Sequence, residues 1–494
     1  MKSNELLAIG LDMGTGGARA VALTLDGNLV AQARSSLPNH ATTIRGPLVE
    51  QDPTAWQAAV ENALGRLTAD LPSRMQVVGL AVDATSGTFL LVDSHYRPLT
   101  PGIMYNDLRG ADDAPEAAAA LDADLRRFGI EVAPSFALPK ILHLARTQPS
   151  LFQRVHRVVH QTDWIVGALS GRYDITDVST GLKTGVIPNS LKWPRAIESQ
   201  LGIPIACLPK VVLPGTPIGH VTDAAASRTG LTIGIPIVAG CTDGTAGSLA
   251  SGARQHGDLN VTLGSTLVFK AVADDPLVDP LGAIYNHRHP GGGFLPGAAS
   301  STGAEWIQTQ VGDVNLETLT RAADSRLPTG SIVYPLAKHG ERFPFSHPEA
   351  TGFGFGQIED PAVRFAAGME GVAMLERMGI ERMEQLGLSI GPTVFATGGA
   401  SANDTWLKIR AAVTRRVYQV PRWPECAVGA AVLAAMPTLG SFANAAAAIV
   451  ATGRTVDPDQ RLADRYDSQY ASFLGSLRER GYLSDNTSTE STAW

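Results

Sequence analysis

The sequence predicts an α/β fold in which one β-β-β-α-β plan occurs in each half of the chain. Short apolar runs end at glycine-rich or Asp-Gly turns, two Asp-Pro pairs each open a helical stripe, and both halves present these signals in a related order. Leu6 to Leu11 is a continuous apolar run, the mark of a buried strand. Asp12-Met13-Gly14-Thr15-Gly16-Gly17 follows as a turn, Ala18 to Leu25 as a second strand, and Asp26-Gly27 as a hairpin signal before the third, Leu29 to Leu37. Asp52 caps a helix with Pro53 at its first position, and Trp56, Val60, Leu64 and Leu67 share one face of it. Val77 to Val82 is then a strand running into Asp83-Ala84-Thr85-Ser86-Gly87-Thr88.

The second half repeats the plan with its order altered by insertions. Ile235 to Cys241 reads as a strand leading to Thr242-Asp243-Gly244-Thr245 and a small-residue helix. Leu259 to Leu263 and Leu267 to Val272 are strands joined through Gly264-Ser265-Thr266. Asp360-Pro361 opens a long helix with Val363, Val372, Leu375, Ile380, Met383 and Leu386 on its stripe, closed by Gly387. Thr393 to Thr397 is a strand that runs into Gly398-Gly399-Ala400-Ser401-Ala402-Asn403, with Asn403 capping the next helix.

The chain has 494 residues, 40 Lys+Arg against 47 Asp+Glu, and a net charge of −7. That balance, without a long Lys/Arg run, argues against general nucleic-acid or anionic-membrane binding, since either needs a basic face. At 44% hydrophobic and 18% charged the composition is globular, and no apolar run reaches the roughly 18 residues of a membrane span. Cys207, Cys241 and Cys426 match no zinc or redox spacing and are expected to be buried thiols. The first residues carry no signal-peptide pattern, so a cytoplasmic location is expected and the sequons at Asn260, Asn403 and Asn486 are chance matches. The segment from Ser484 to Trp494 reads as a frayed polar tail.

Four loops at strand ends carry chemistry. Gly14, Gly16 and Gly17 let backbone N–H groups converge on an anion, Thr15 adds a hydroxyl, and Asp12 can hold a hydrated Mg²⁺. A carboxylate beside a phosphate needs a cation between them, so Asp12 implies Mg²⁺; an ordinary β-turn is the alternative. Asp243 can accept a proton from a substrate hydroxyl, or simply cap the helix that follows. Gly264-Ser265-Thr266 can contact β and γ phosphates, and Gly398-Gly399 can let an adenine lie flat against backbone. Each alone is as well read as a turn; together, in this order, they point to a nucleotide cleft.

On these residues the chain resembles the FGGY carbohydrate kinases of the sugar kinase/actin/Hsp70 superfamily. Leu11-Asp12-Met13-Gly14-Thr15 with Arg19, Ala239-Gly240-Cys241-Thr242-Asp243, Thr262-Leu263-Gly264-Ser265-Thr266, Thr397 to Asn403, and Glu425 with Gly429-Ala430-Ala431 carry the resemblance. It implies two actin-like (ribonuclease H-like) ATPase domains flanking a catalytic cleft, with ATP and Mg²⁺ as cofactors. It also implies Asp243 as catalytic base, and a phosphate-1 loop with Asp12, Gly14 and Thr15. The phosphate-2 loop would be Gly264, Ser265 and Thr266, and the adenosine site Gly398, Gly399 and Asn403. The expected units are residues 1–250, 251–440 and 441–494, the last being helices that can pack back on the first unit.

Asp83 to Thr88, Met104-Tyr105-Asn106-Asp107, Gln161-Thr162-Asp163-Trp164 and Lys338 to Pro344 are most similar to the D-ribulose kinase group. That similarity implies that Asp12, Ser86 and Asp243 contact a ketose. No Met-His pair follows Ser86-Gly87, as the xylulokinase pattern would have, and the Arg-Glu pair of glycerol kinases is missing there. Thr85, Ser86, Thr88, Asn106, Gln161 and Asp163 offer polyol donors and acceptors, with Trp164 available to pack on a sugar face; turns and a helix cap are the alternative. Trp306 and Trp406 read as core, and Lys338 to Arg342 as a solvated charged loop. Asp12 and Asp243 are expected to meet across the cleft from opposite lobes. The substrate expected is a small sugar, D-ribulose first, then D-xylulose, L-ribulose, ribitol or glycerol, acted on by a monomer or homodimer. An actin/Hsp70-like ATPase is the rival from another class.

Overall fold

Residues 5–312 and 314–483 are described in the computed structural model of the chain. The first four residues, the polar tail and Asn486 lie outside them. Among the described residues, no helix is long and apolar enough to cross a membrane.

Two seven-stranded sheets organise two lobes, and both contain the repeated plan. In the first, Leu6–Gly14 pairs antiparallel with Gly17–Thr24 and parallel with Gln76–Ala84, while Leu29–Ser36 extends the edge. In the second, Leu259–Leu263 pairs antiparallel with Leu267–Ala271 and parallel with Thr393–Thr397, while Phe294–Ala299 pairs antiparallel with Leu267–Ala271. The helices Pro53–Ala69 and Pro361–Gln385 fill the same place in each repeat, capped by Asp52 and Asp360 as expected. A five-stranded sheet, Thr42–Arg45, Leu48–Gln51, Gly102–Ile103, Phe89–Val92 and Arg157–His160, is inserted into the first lobe. It carries its own core with the helices Ala114–Leu125 and Ala137–Thr147.

The expected turn over residues 12–17 is shorter than its glycines suggest. The strand continues to Gly14, which pairs with Gly17, so only Thr15 and Gly16 turn and Asp12 lies within the ladder opposite Arg19. Ile235 to Cys241 is likewise not one strand but two short ones, Pro236–Val238 and Cys241–Thr242.

The chain crosses back near its end. Helix Cys426–Leu439 lies flat on the first sheet, so close that a Cβ added at Gly10 would come within 1.7 Å of Ala427 O, and at Gly429 within 2.0 Å of Ala246 O. Phe442–Ile449 joins the same core. Strand Thr452–Val456 then pairs with Val417–Pro421 of the second sheet, and Gln460–Glu479 packs into the second lobe's core. The packing therefore divides the tail differently from a boundary at residue 440.

The lobes touch through specific groups. Asn286 Nδ2 donates to Phe128 O at 2.9 Å, and His289 meets Phe442 edge to face at 4.6 Å. His289 is buried, and desolvation pushes its pKa down to about 4. A histidine of lowered pKa contributes stability above its unfolded value, near 6.5, and the contribution is lost as pH falls toward 4. Urea midpoints are thus expected to drop between pH 6.5 and 4, and His289→Gln to flatten that slope; an unchanged slope in the variant would remove His289 as the cause.

Candidate active site

Three carboxylates gather at one end of the first sheet. Asp12 ends its apolar run, and Asp83 sits directly beside it in the parallel register of Leu6–Gly14 with Gln76–Ala84. Cys241 pairs with Asp83 on that strand's other side, which brings Asp243, two residues on, to the same edge. All three therefore belong to the first lobe. This corrects the expectation that Asp12 and Asp243 come from opposite lobes: the short strand Cys241–Thr242 adds to the first sheet instead.

Asp83 has no exposed surface, and neither of its carboxylate oxygens has a conventional partner beyond the neighbouring Asp12 carboxyl. Burial raises its pKa well above the usual carboxylate value, with Asp12 and Asp243 adding to the rise. Asp12 is also raised, mainly by burial and further by Asp243, against lowering contributions from Asp83 and Arg19. A carboxyl whose two oxygens are buried and unsatisfied, lying against a second carboxyl, needs a shared proton or a cation.

Asp243 is the first residue of helix Asp243–Leu249 and not its cap: Thr242 holds the cap position. The carboxylate accepts from Gly244 N at 2.6 Å and is half-buried at the cleft. Burial raises its pKa, while that hydrogen bond, Lys183 and Lys270 lower it. The turn beneath it is fixed by buried polar bonds, with Asp177 Oδ1 accepting from Ser179 Oγ at 2.5 Å and Ser179 Oγ accepting from Thr242 N at 3.1 Å.

The second lobe supplies the other loops. Gly264 N donates to Thr266 O at 3.0 Å, which closes a tight turn with Ser265 exposed and open space where a Gly264 Cβ would be. Segment 300–304 braces this turn, with Ala304 N donating to Gly264 O at 2.8 Å and Leu267 N to Thr302 O at 2.9 Å. Glu341 holds that segment: it is buried and accepts from Ser300 Oγ, Ser301 N, Thr302 Oγ1 and Tyr334 OH. The charged run at Lys338 is thus only partly a solvated loop, because Lys338 is exposed but Glu341 is an internal anchor.

Gly398 and Gly399 differ in what they need. Gly398 has φ +88° and its Cβ would lie 2.4 Å from Leu263 O, so the fold itself requires glycine there. Gly399 faces open space. Both line a cavity of about 620 Å³ that also holds Asp12, Arg19, Ser401, Arg422 and Glu425. Asn403 caps Asp404–Thr414 through Trp406 N at 3.0 Å and donates to Thr320 Oγ1 at 3.0 Å, so its side chain is committed to the fold. Gly14, half-buried, closes the ladder beside Asp12, and Thr15 with Gly16 forms the exposed tip of the hairpin.

The proposed polyol donors are mostly structural. Thr85 Oγ1 bonds Thr88 Oγ1 at 2.7 Å and Gln161 Oε1 at 2.6 Å, all buried. Asp163 pairs with His160 at 2.7 Å, and Trp164 donates to Pro53 O from within the first core, away from any sugar face. Asn106 is exposed. Ser86 remains at the cleft, its carbonyl accepting from Lys183 Nζ at 3.2 Å. Lys183 and Lys270 escaped sequence reading because isolated lysines in apolar stretches carry no spacing; only the fold turns them toward Asp243. Trp306 and Trp406 are core, as expected.

Mg²⁺ fits this edge. Among the described residues no group of three or more His, Cys, Asp or Glu side chains is placed to hold one ion together. A single carboxylate supplemented by water and phosphate oxygens is nonetheless how this cation is usually bound, and the unsatisfied oxygens beside Asp12 suit it.

A family model described as the FGGY family of carbohydrate kinases, N-terminal domain, matches residues 7–250, and the C-terminal domain of that family matches residues 259–437. Xylulose kinase of Escherichia coli (strain K12) is 26% identical over 418 residues, covering 82% of this chain and 84% of its own. Gluconokinase of Bacillus subtilis (strain 168) is 23% identical over 453 residues, covering 86% of each. The crystal structure of a xyloylose kinase from Brucella ovis superposes with a TM-score of 0.85 at 25% identity, over 97% of this chain and all of that one.

Proposed function

The chain belongs to the FGGY family of carbohydrate kinases and is an ATP-dependent sugar kinase with two actin-like lobes, and from this premise we propose that it phosphorylates the terminal hydroxyl of a ketopentose, D-ribulose, with Asp243 as general base. The observation that carries the reading is the position of Asp243, which presents its carboxylate at the cleft beside Ser86 and Lys183 while the turn beneath it is buried. Asp243 accepts the hydroxyl proton as the oxygen attacks phosphorus. The N–H groups and hydroxyls of Gly14-Thr15 and Gly264-Ser265-Thr266 bind phosphate oxygens from the two lobes, and the 620 Å³ cavity at Gly398 and Gly399 receives the adenosine. Mg²⁺ held by Asp12 would neutralise charge on the β and γ phosphates. Apposition of the lobes aligns the reactants and excludes water, which would otherwise compete as acceptor.

D-ribulose is favoured over other pentuloses by the similarity of residues 83–88, 104–107 and 338–344 to the D-ribulose kinase group. D-xylulose is the second reading, supported by the name of the Escherichia coli relative. ADP release, screened over pentuloses, gluconate, pentitols and glycerol with the product identified by mass, separates them. D-ribulose is expected to give the highest kcat/KM; a higher value for D-xylulose would replace it. Asp12→Asn is expected to raise the Mg²⁺ concentration needed for half-maximal rate with little change in unfolding midpoint, and an unaltered Mg²⁺ titration would remove Asp12 from metal binding.

A further inference from the structure

Lys270 is the unusual cation of the cleft. It lies on Leu267–Ala271 of the second lobe and is 6% exposed. Among the described residues its ammonium has no hydrogen-bond or ion-pair partner, while Nζ is not fully enclosed and so opens onto the cleft. A cation on a side chain this enclosed is unfavourable unless an opposite charge faces it. Its stem passes over Gly297, where a Cβ would lie 3.4 Å from Lys270 Cγ, and its Nζ reaches across the lobes to 3.9 Å from the Cβ position of Gly244. That is the first turn of the helix begun by Asp243. Lys183, by contrast, is held within the first lobe through Ser86 O.

We propose that Lys270 is a positioning residue for Asp243: from the opposite lobe, its ammonium keeps the carboxylate charged and turned into the cleft, so the base is fully effective when the lobes are apposed. Resting on the assignment of Asp243 as base, the inference has support from the electrostatics of both partners. Burial pushes the Lys270 pKa down to about 8, and Asp243 is among the groups that hold it up. The neighbouring thiols Cys241 and Cys426 are driven upward by burial and are neutral at pH 7, which leaves Asp243 as the ionised counter-charge. The groups whose charges act with Asp243 are Asp12 and Asp83 on the first sheet, Lys183, Cys426, Tyr285 on Tyr285–Arg288, and Lys270. His287 on that same strand faces Lys270 and Lys183 and is driven well below its usual value by burial and then by both ammonium groups, so it carries no charge at pH 7. Of the two ammonium groups, only Lys270 depends on the second lobe.

The test compares the full chain with Lys270→Met, Lys270→Gln and Lys270→Arg, measuring kcat, KM for ATP and for the best sugar of the screen, and the pH profile of kcat/KM. Thermal unfolding confirms which variants are folded, and either neutral variant suffices. Loss of the ammonium is expected to move the acid limb of the profile to higher pH by about one unit, a tenfold loss below the limb. KM for ATP should stay within about twofold of the wild type, and Lys270→Arg should restore the limb. An unmoved limb in a folded neutral variant, or equal displacement in Lys270→Arg, overturns the proposal. Asp243→Asn in the same assay keeps the two ideas apart. An inactive Asp243→Asn with an unmoved limb in Lys270→Met removes only Lys270, whereas near-wild-type turnover in Asp243→Asn removes the base itself.

Discussion

Asp243→Asn is expected to lower sugar-dependent ADP release by about 10²-fold or more, the range for losing general-base help, while ATP binding and the unfolding midpoint stay near wild type. The substitution is sparing structurally. Asparagine retains an oxygen to accept from Gly244 N, and the cap position belongs to Thr242, so helix Asp243–Leu249 keeps its start. What it removes is the ability to take a proton. Burial raises the pKa of Asp243 above the ordinary carboxylate value while Gly244 N, Lys183 and Lys270 lower it. The base must be ionised, so wild-type kcat/KM falls as pH drops through that raised value, and the residual rate of the variant should lack this limb. Turnover close to wild type in Asp243→Asn, with sugar phosphate as product, would refute the role.

The sequence displayed the repeat because each element of it leaves a local mark. Asp-Pro pairs open both long helices, and glycine turns join both hairpins. The inserted five-stranded sheet was not legible: its strands are two to four residues long, too short for an alternating pattern to stand out. Neither was the return of Cys426–Leu439 to the first sheet. Its apolar residues suit any buried helix, and what selects the first lobe is backbone contact at Gly10, Gly79 and Gly429, a property of facing surfaces. The same distinction runs through the site. Asp12 and Asp243 follow apolar runs and could be found by that, whereas Asp83 becomes significant only through its register beside Asp12. The hydroxyl-rich segments misled in part, because the hydroxyls of Thr85 and Thr88 bond each other and Thr85 also bonds Gln161 Oε1, which leaves them little for a sugar, whereas Gln161 Nε2 is buried without a partner among the described residues.

Arg410→Met is expected to destabilise the chain by about 3–5 kcal/mol, the cost of leaving a buried partner uncompensated. Arg410 and Glu376 have no exposed surface and meet through two bonds, Nε to Oε2 at 2.6 Å and Nη2 to Oε1 at 2.9 Å. Tyr418 OH also donates to Glu376 Oε1 at 2.8 Å, and the guanidinium lies 4.9 Å from the Tyr418 ring centre. The three residues stand on Pro361–Gln385, Asp404–Thr414 and Val417–Pro421, which surround the strand leading to Gly398 and Gly399. In the single variant Glu376 keeps only the tyrosine and must ionise without its cation or take up a proton. Replacing both charges, as in Glu376→Leu with Arg410→Met, removes the orphan as well as the pair. Because desolvating two ions offsets much of their attraction, the double variant should lose less stability than Arg410→Met alone. Denaturant unfolding of both variants against wild type checks this. A single-variant loss below about 1 kcal/mol would mean that the pair is solvated, against its burial here; a double variant weaker than the single would mean that the network contributes more than charge compensation.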